Sequence, residues 1–295
     1  MTLRTLNDIF FALVDRNQDR VMLQREASGW VPVSSRELYR KVAGVARGLQ
    51  QCGFGKGDRV AILSENRVEW AVTDFACFCL GAVVVPIYST LTAEQTAHIL
   101  KDSGARAVVV STDAQLSKVL EAESCVRMER ILVMDDAAST RAVPARRWME
   151  QGPDERDTDL DDGARRVAPD DLATIIYTSG TTGTSKGVML THGNLTSNIA
   201  CSLEGFDMHA GDVSVSFLPL SHVTARHVDL ALLYHGVTLA YCPFIEHLPQ
   251  ALLEVHPTVF VAVPRVYEKV YQQAAQRTKK FPKNAIYRWA LSVGQ

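Results

Sequence analysis

Apolar residues along this chain keep two rhythms in turn. Short unbroken runs recur at residues 60–63, 83–87, 107–110 and 131–133, and again at 172–176, 188–190, 213–218, 237–241 and 258–263. Runs of that length, rich in β-branched side chains, read as strands, and unbroken apolarity reads as burial on both faces. Between them the apolar positions fall three and four apart, the spacing of a helix with one buried face. Ser34 with Glu37 makes a capping box for a helix to about Gln51, stopped by Gly53. Further helices are expected at about 68–80, at 92–103 before Gly104, from Thr191-His192-Gly193-Asn194 to about Cys201, at 248–254 and at 266–277. Residues 284–293 keep helical spacing through Ile286, Trp289, Ala290 and Val293, and the sequence stops at Gln295 without a cap or tail.

This alternation predicts an α/β fold: parallel sheets flanked by helices, in two similar subdomains. Residues 135–171 break the rhythm with Asp, Arg, Ala and Gly, and read as a surface excursion. The boundary is placed there, giving a first subdomain at 1–165, with its excursion at about 135–171, and a second at 166–295. The open final helix predicts that the second subdomain is truncated at its C-terminal end, and that the chain is the front part of something longer.

Composition narrows the class without naming it. The 295 residues are 47% hydrophobic and 22% charged, with a net charge of −2, which is ordinary for a soluble globular protein. Basic pairs occur at Arg146-Arg147 and Lys279-Lys280 without forming a patch, so no nucleic-acid partner is expected. The six cysteines show no C-x-x-C pair or metal spacing. Cys77 and Cys79 fall in an apolar helical run and are expected as buried free thiols in a reducing compartment. No signal-peptide core or run of about 20 apolar residues is present. A cytoplasmic protein is expected, with peripheral membrane contact left open.

The strongest chemical signal is Tyr177-Thr178-Ser179-Gly180-Thr181-Thr182-Gly183-Thr184-Ser185-Lys186-Gly187, directly after the strand-like run 172–176. Glycines let backbone N–H groups turn toward an anion, the hydroxyls add donors, and Lys186 adds a positive charge. The bland alternative is a Gly/Thr/Ser-rich turn between two strands. The nucleoside-triphosphatase pattern G-x-x-x-x-G-K-[ST] fails, because Ser185 precedes the lysine and Gly187 follows it. A second candidate is Phe217-Leu218-Pro219-Leu220-Ser221-His222, where Pro219 ends a strand and delivers His222 to its C-terminal edge, the side on which open α/β sheets bind ligands.

The first segment closely resembles the signature loop of the adenylate-forming superfamily, usually T-S-G-T-T-G-x-P-K-G, with Ser185 here in place of the proline. Leu218-Pro219-Leu220-Ser221-His222 resembles that superfamily's second landmark. Val263-Pro264-Arg265-Val266-Tyr267-Glu268-Lys269-Val270 and Arg288-Trp289-Ala290-Leu291 resemble its long-chain fatty acyl branch, and the order of 57–62, 66–70 and 81–88 fits as well. The resemblance implies the fold of an acyl-CoA synthetase N-terminal domain, with the C-terminal domain absent. It implies a reaction in which a fatty acid and ATP give an acyl-adenylate and pyrophosphate, followed by thioester formation with coenzyme A and release of AMP. Thr178, Ser179, Gly180, Thr181, Thr182, Gly183, Thr184 and Lys186 would hold the nucleotide's phosphates. His222, Lys186 and Thr181 would be catalytic, and His222 and Arg226 would contact the substrate. Thr181 or Thr182 would ligate magnesium, and a homodimer is frequent in the resembling family. The Y-G-x-T-E and T-G-D segments of that family, which supply adenine and ribose contacts, do not occur here. The chain is therefore expected to be catalytically incomplete alone. Two other readings stay open: another adenylate-forming ligase, such as an aryl-CoA ligase or stand-alone adenylation domain, and a non-catalytic truncated paralogue acting as a binding module.

Overall fold

The computed structural model describes residues 3–136, 139–178, 185–202, 206–277, 289 and 292–293. The chain divides into two units, Met1–Val259 and Phe260–Gln295. The first begins with α1 (Leu6–Asp15), the hairpin β1 (Met22–Glu26) and β2 (Gly29–Val33), and α2 (Ser35–Gln51). An alternating series follows: β3 (Arg59–Leu63), α3 (Val68–Cys79), β4 (Val83–Ile87), α4 (Ala93–Ser103), β5 (Ala107–Val110), α5 (Asp113–Ala122) and β6 (Arg130–Val133). The polar stretch holds β7 (Val143–Pro144), α6 (Ala145–Glu150) and α7 (Thr158–Arg165). Then come β8 (Leu172–Thr178), β9 (Lys186–Thr191), α8 (His192–Ser202), β10 (Val213–Ser216), α9 (Val223–Tyr234), β11 (Thr238–Tyr241) and α10 (Leu248–Val255). The second unit contains α11 (Pro264–Arg277), in which the Tyr267 hydroxyl reaches the Phe260 carbonyl at 3.4 Å.

Local sequence sets the boundaries. The Ser34 side chain accepts the Glu37 N–H while the Glu37 carboxylate accepts the Ser34 N–H at 2.9 Å, and Gly53 ends the helix at φ +81°. Thr92 and Gln95 repeat the device for α4, which Gly104 closes at φ +66°. The expected excursion folds back onto α2. Glycines 44 and 48 leave a notch on that helix, and a Cβ at Gly48 would lie 2.2 Å from the Trp148 ring of α6.

The strands form two sheets, one of seven strands in the order β7-β6-β5-β3-β4-β8-β9 and one of four in the order β10-β11-β1-β2. All neighbours are parallel except β8/β9 and β1/β2. β4 and β5 are buried along their whole length, as unbroken Val/Ile runs demand. Sheet membership crosses the expected line between 165 and 166. β8 and β9 extend the sheet of the first half because β8 is apolar enough to sit beside β4, and β1 joins the later strands through Met22↔Leu239. The strand expected at 258–263 does not form. Thr258 and Val259 donate to the Val213 carbonyl, and no ladder continues from them. The helix expected at 284–293 lies mostly outside the described residues, as does Arg288-Trp289-Ala290-Leu291 apart from Trp289. Among the described residues, no helix is long and apolar enough to cross a membrane.

Candidate functional site

The antiparallel hairpin β8–β9 is connected through the glycine- and hydroxyl-rich segment. Thr178 and Lys186 are partners on the ladder there, and both are exposed. The expected phosphate-binding residues Ser179, Gly180, Thr181, Thr182, Gly183 and Thr184 lie outside the described residues. Gly187 faces Tyr177 across the ladder, and a Cβ there would come 2.7 Å from Ile175 Cγ2 and 3.1 Å from the Tyr177 ring. A close side-chain approach, rather than an unusual backbone angle, therefore asks for glycine at this position.

His222 reaches the same region from a different direction. Asn66, 4% exposed at the C-terminal end of β3, fastens the turn before it. Its amide donates to the Leu218 carbonyl at 2.7 Å and its Oδ1 accepts the Leu220 N–H at 3.0 Å. The His222 N–H then donates to the Pro219 carbonyl at 2.8 Å, and His222 becomes the N-cap of α9. Its Nδ1 accepts the Thr224 N–H at 3.2 Å, which leaves Nε2 to carry the ring proton as a donor.

These groups share one cleft of about 800 Å³. The hairpin contributes Tyr177, Thr178 and Ser185, α9 contributes His222 and Val223, and Pro86, Tyr88 and His98 come from β4 and the segments after it. The wall also carries the Glu94 carboxylate; beside the hairpin, the Thr178 hydroxyl, the His222 imidazole N–H and the neighbouring Lys186 ammonium are donors or cations, a set that suits a polyanion. Sequence did not single out His98, a member of the wall, or Asp102, which holds the wall residue Tyr177. His98 Nε2 lies 3.2 Å from the Ser185 carbonyl, and the Tyr177 hydroxyl donates to Asp102 at 2.6 Å. Burial and then the adjacent Asp102 push the Tyr177 phenol well above its ordinary range, so it donates as a neutral hydroxyl. The i, i+4 spacing of His98 and Asp102 was the available signal, and the helical pattern absorbed it.

Arg226 does not reach the cleft. It is 2% exposed, with Nε donating to Asp74 at 2.9 Å, a second bond to the other Asp74 oxygen, and NH1 donating to Thr174 at 2.7 Å. Trp70 and Phe78 cover it at 5.4 and 5.2 Å. Its donors are committed to the core, so the expected contact with a substrate is corrected to a structural ion pair. Among the described residues, no group of three or more His, Cys, Asp or Glu side chains could hold a metal ion, and the proposed hydroxyl ligands Thr181 and Thr182 lie outside them. The six cysteines are free, and burial pushes the Cys77 and Cys79 thiols far above their usual range.

A family described as AMP-binding enzyme matches residues 10–295. The long-chain-fatty-acid–CoA ligase FadD15 of Mycobacterium bovis is 37% identical over 272 residues, covering 91% of this chain and 45% of the relative. The chain thus spans less than half the length of that relative. The inhibitor-bound N-terminal domain of FACL13 from Mycobacterium tuberculosis superposes with a TM-score of 0.75 at 24% identity, covering 95% of this chain and 68% of that one. ATP-bound MatB from Rhodopseudomonas palustris superposes with a TM-score of 0.73 at 26% identity, covering 91% of this chain and 51% of the other.

Proposed function

Since this chain belongs to the AMP-binding enzyme family, we propose that it supplies the phosphate-binding part of an ATP-dependent long-chain fatty acid–CoA ligase. The observation that carries the proposal is that Thr178 and Ser185 of the hairpin meet His222, at least 37 residues further along the chain, in one cleft. The first half-reaction brings a carboxylate against the α-phosphorus of ATP. Two anions must approach, so neutralisation and alignment dominate the barrier. Thr178 and Lys186, facing each other at the hairpin end, donate to the β- and γ-phosphates and follow charge onto pyrophosphate as it leaves. His222 presents Nε2–H to the carboxylate or to the phosphate it attacks, with Asn66 fixing the turn that aims it. Magnesium, which Thr181 or Thr182 would hold in this proposal, would offset further negative charge on the phosphates. Ser179, Gly180, Thr181, Thr182, Gly183 and Thr184 complete the cradle in this proposal. Coenzyme A thiolate then attacks the acyl carbonyl of the adenylate, forming the thioester as the bond to phosphate breaks and AMP leaves.

The share of the FadD15 relative that is matched, 45%, supports a division of labour in which adenine, ribose and thioester chemistry draw on sequence beyond this chain. The 295 residues alone are therefore expected to form no measurable acyl-CoA. The test is carboxylate-dependent ATP–pyrophosphate exchange by the complete gene product, with acids of graded length. Exchange that rises with long-chain acids is expected. A folded product that exchanges with no acid would overturn the proposal.

A further inference from the structure

We propose, on the function inferred above, that His98 is a positioning residue for the phosphate cradle: with Asp102, one turn later on α4, it latches the two strand ends that carry Thr178 and Lys186. Residues four apart on a helix share a face, and this face of α4 meets the end of the β8–β9 hairpin where Thr178 pairs with Lys186. Each member grips a different strand. His98 Nε2 lies 3.2 Å from the Ser185 carbonyl, immediately before β9. A carbonyl only accepts, so the ring proton sits on Nε2. Asp102 accepts the Tyr177 hydroxyl at 2.6 Å, one residue before the end of β8. The His98 ring stands at 84° to the Tyr177 ring with centroids 6.4 Å apart, so the two grips touch each other. On the ladder Tyr177 faces Gly187 and Thr178 faces Lys186. The latch therefore acts within one residue of the pair proposed to hold phosphate.

The hairpin has reason to need it. β9 is the last strand of the seven-stranded sheet, with β8 as its strand neighbour, and its residues from Lys186 to Met189 are exposed. An edge strand with little burial opens at low local free energy. A cradle that neutralises phosphate charge must instead hold its donors in place before the reaction. The bonds from α4 restrain the end of β9, which the sheet holds on one side, together with the end of β8 beside it.

The test uses tryptic cleavage after Lys186 in the folded 295-residue chain, followed by mass spectrometry, for the wild type, His98→Ala and His98→Gln. Loss of one hydrogen bond at a locally opening site is expected to speed cleavage after Lys186 roughly fivefold in His98→Ala, with other sites and the urea midpoint unchanged. His98→Gln, whose amide N–H can reach the same carbonyl, is expected to restore the wild-type rate. In the complete gene product, His98→Ala is expected to raise KM for ATP in pyrophosphate exchange by more than it lowers kcat. Equal cleavage after Lys186 in His98→Ala and the wild type would overturn the latch. So would equal acceleration at every site, or failure of glutamine to restore the rate. Absence of exchange by the wild type would overturn the ligase function alone, because the cleavage comparison needs neither ATP nor acid.

Discussion

Asp229 sits on the buried side of α9 and accepts the Ser216 hydroxyl at 2.6 Å. Burial raises its pKa to about 7, against which the Ser216 bond pulls only weakly. The unfolded carboxyl ionises near pH 3.9, so between about pH 4 and 7 the folded state holds a proton that the unfolded state has lost. Its contribution to stability falls as pH rises through that window. His192 runs the other way. Burial lowers its pKa to about 4, its Nδ1 accepts the Leu6 N–H at 3.3 Å, and its contribution is lost as pH falls from about 6.5 toward 4. Asp229→Asn removes the first slope and leaves the second. Relative to the wild type, unfolding free energy followed by urea titration is expected to steepen by about one proton across pH 4 to 7, with a gain in stability at pH 8. Arg226 poses a different question at the same scale. Arg226→Met strands Asp74 in the core and is expected to cost about 3–5 kcal/mol in urea unfolding, part of it recovered by adding Asp74→Leu. A substrate-binding arginine would instead leave stability unchanged and weaken saturation by fatty acid.

The α2–α6 contact shows how a short element is held by what is missing from its partner. The Trp148 ring lies where a Cβ at Gly48 would stand, and the Trp148 carbonyl lies 2.0 Å from a Cβ placed at Gly44. Gly48→Ala must push a ring aside, whereas Gly44→Ala meets backbone. Both are expected to destabilise by about 1–3 kcal/mol, with Gly44→Ala the larger, read from thermal melts. Nothing in the sequence of 135–171 advertised this contact, because glycines in an amphipathic helix are silent about what approaches them. Elements with complete local signals were legible: the Ser34–Glu37 capping box, the helix closed by Gly104, the Val/Ile strands at 83–87 and 107–110, and the hairpin arms around the glycine-rich segment. The strand expected at 258–263 failed because apolarity alone does not supply a neighbour to pair with. Arg226 was misplaced for a related reason. A charged residue near a candidate site reads as a ligand contact until its partner Asp74, 152 residues away, is visible. His98 and Asp102 escaped notice because their bonds run to a carbonyl and a phenol on other elements, which no linear pattern records.

At the scale of the molecule, the two ends of the first unit are woven together. Asn7 on α1 donates to the carbonyls of Phe78 and Ala164, Leu6 bonds His192, and β1 lies between β11 and β2. The cleft inherits this weave. His222 follows β10 in one sheet, Thr178 ends β8 in the other, and Asn66 bridges from the end of β3 to the turn before His222. A site assembled this way depends on long-range closure more than on any one segment. The pairing of Met22 with Leu239 has a further consequence during synthesis. At roughly 5–20 residues per second, a ribosome needs about 10–40 seconds to deliver β11 after β1 has emerged. Through that interval the β1–β2 hairpin is a nascent edge without its neighbour, and a holding chaperone that recognises exposed strands would find its substrate there.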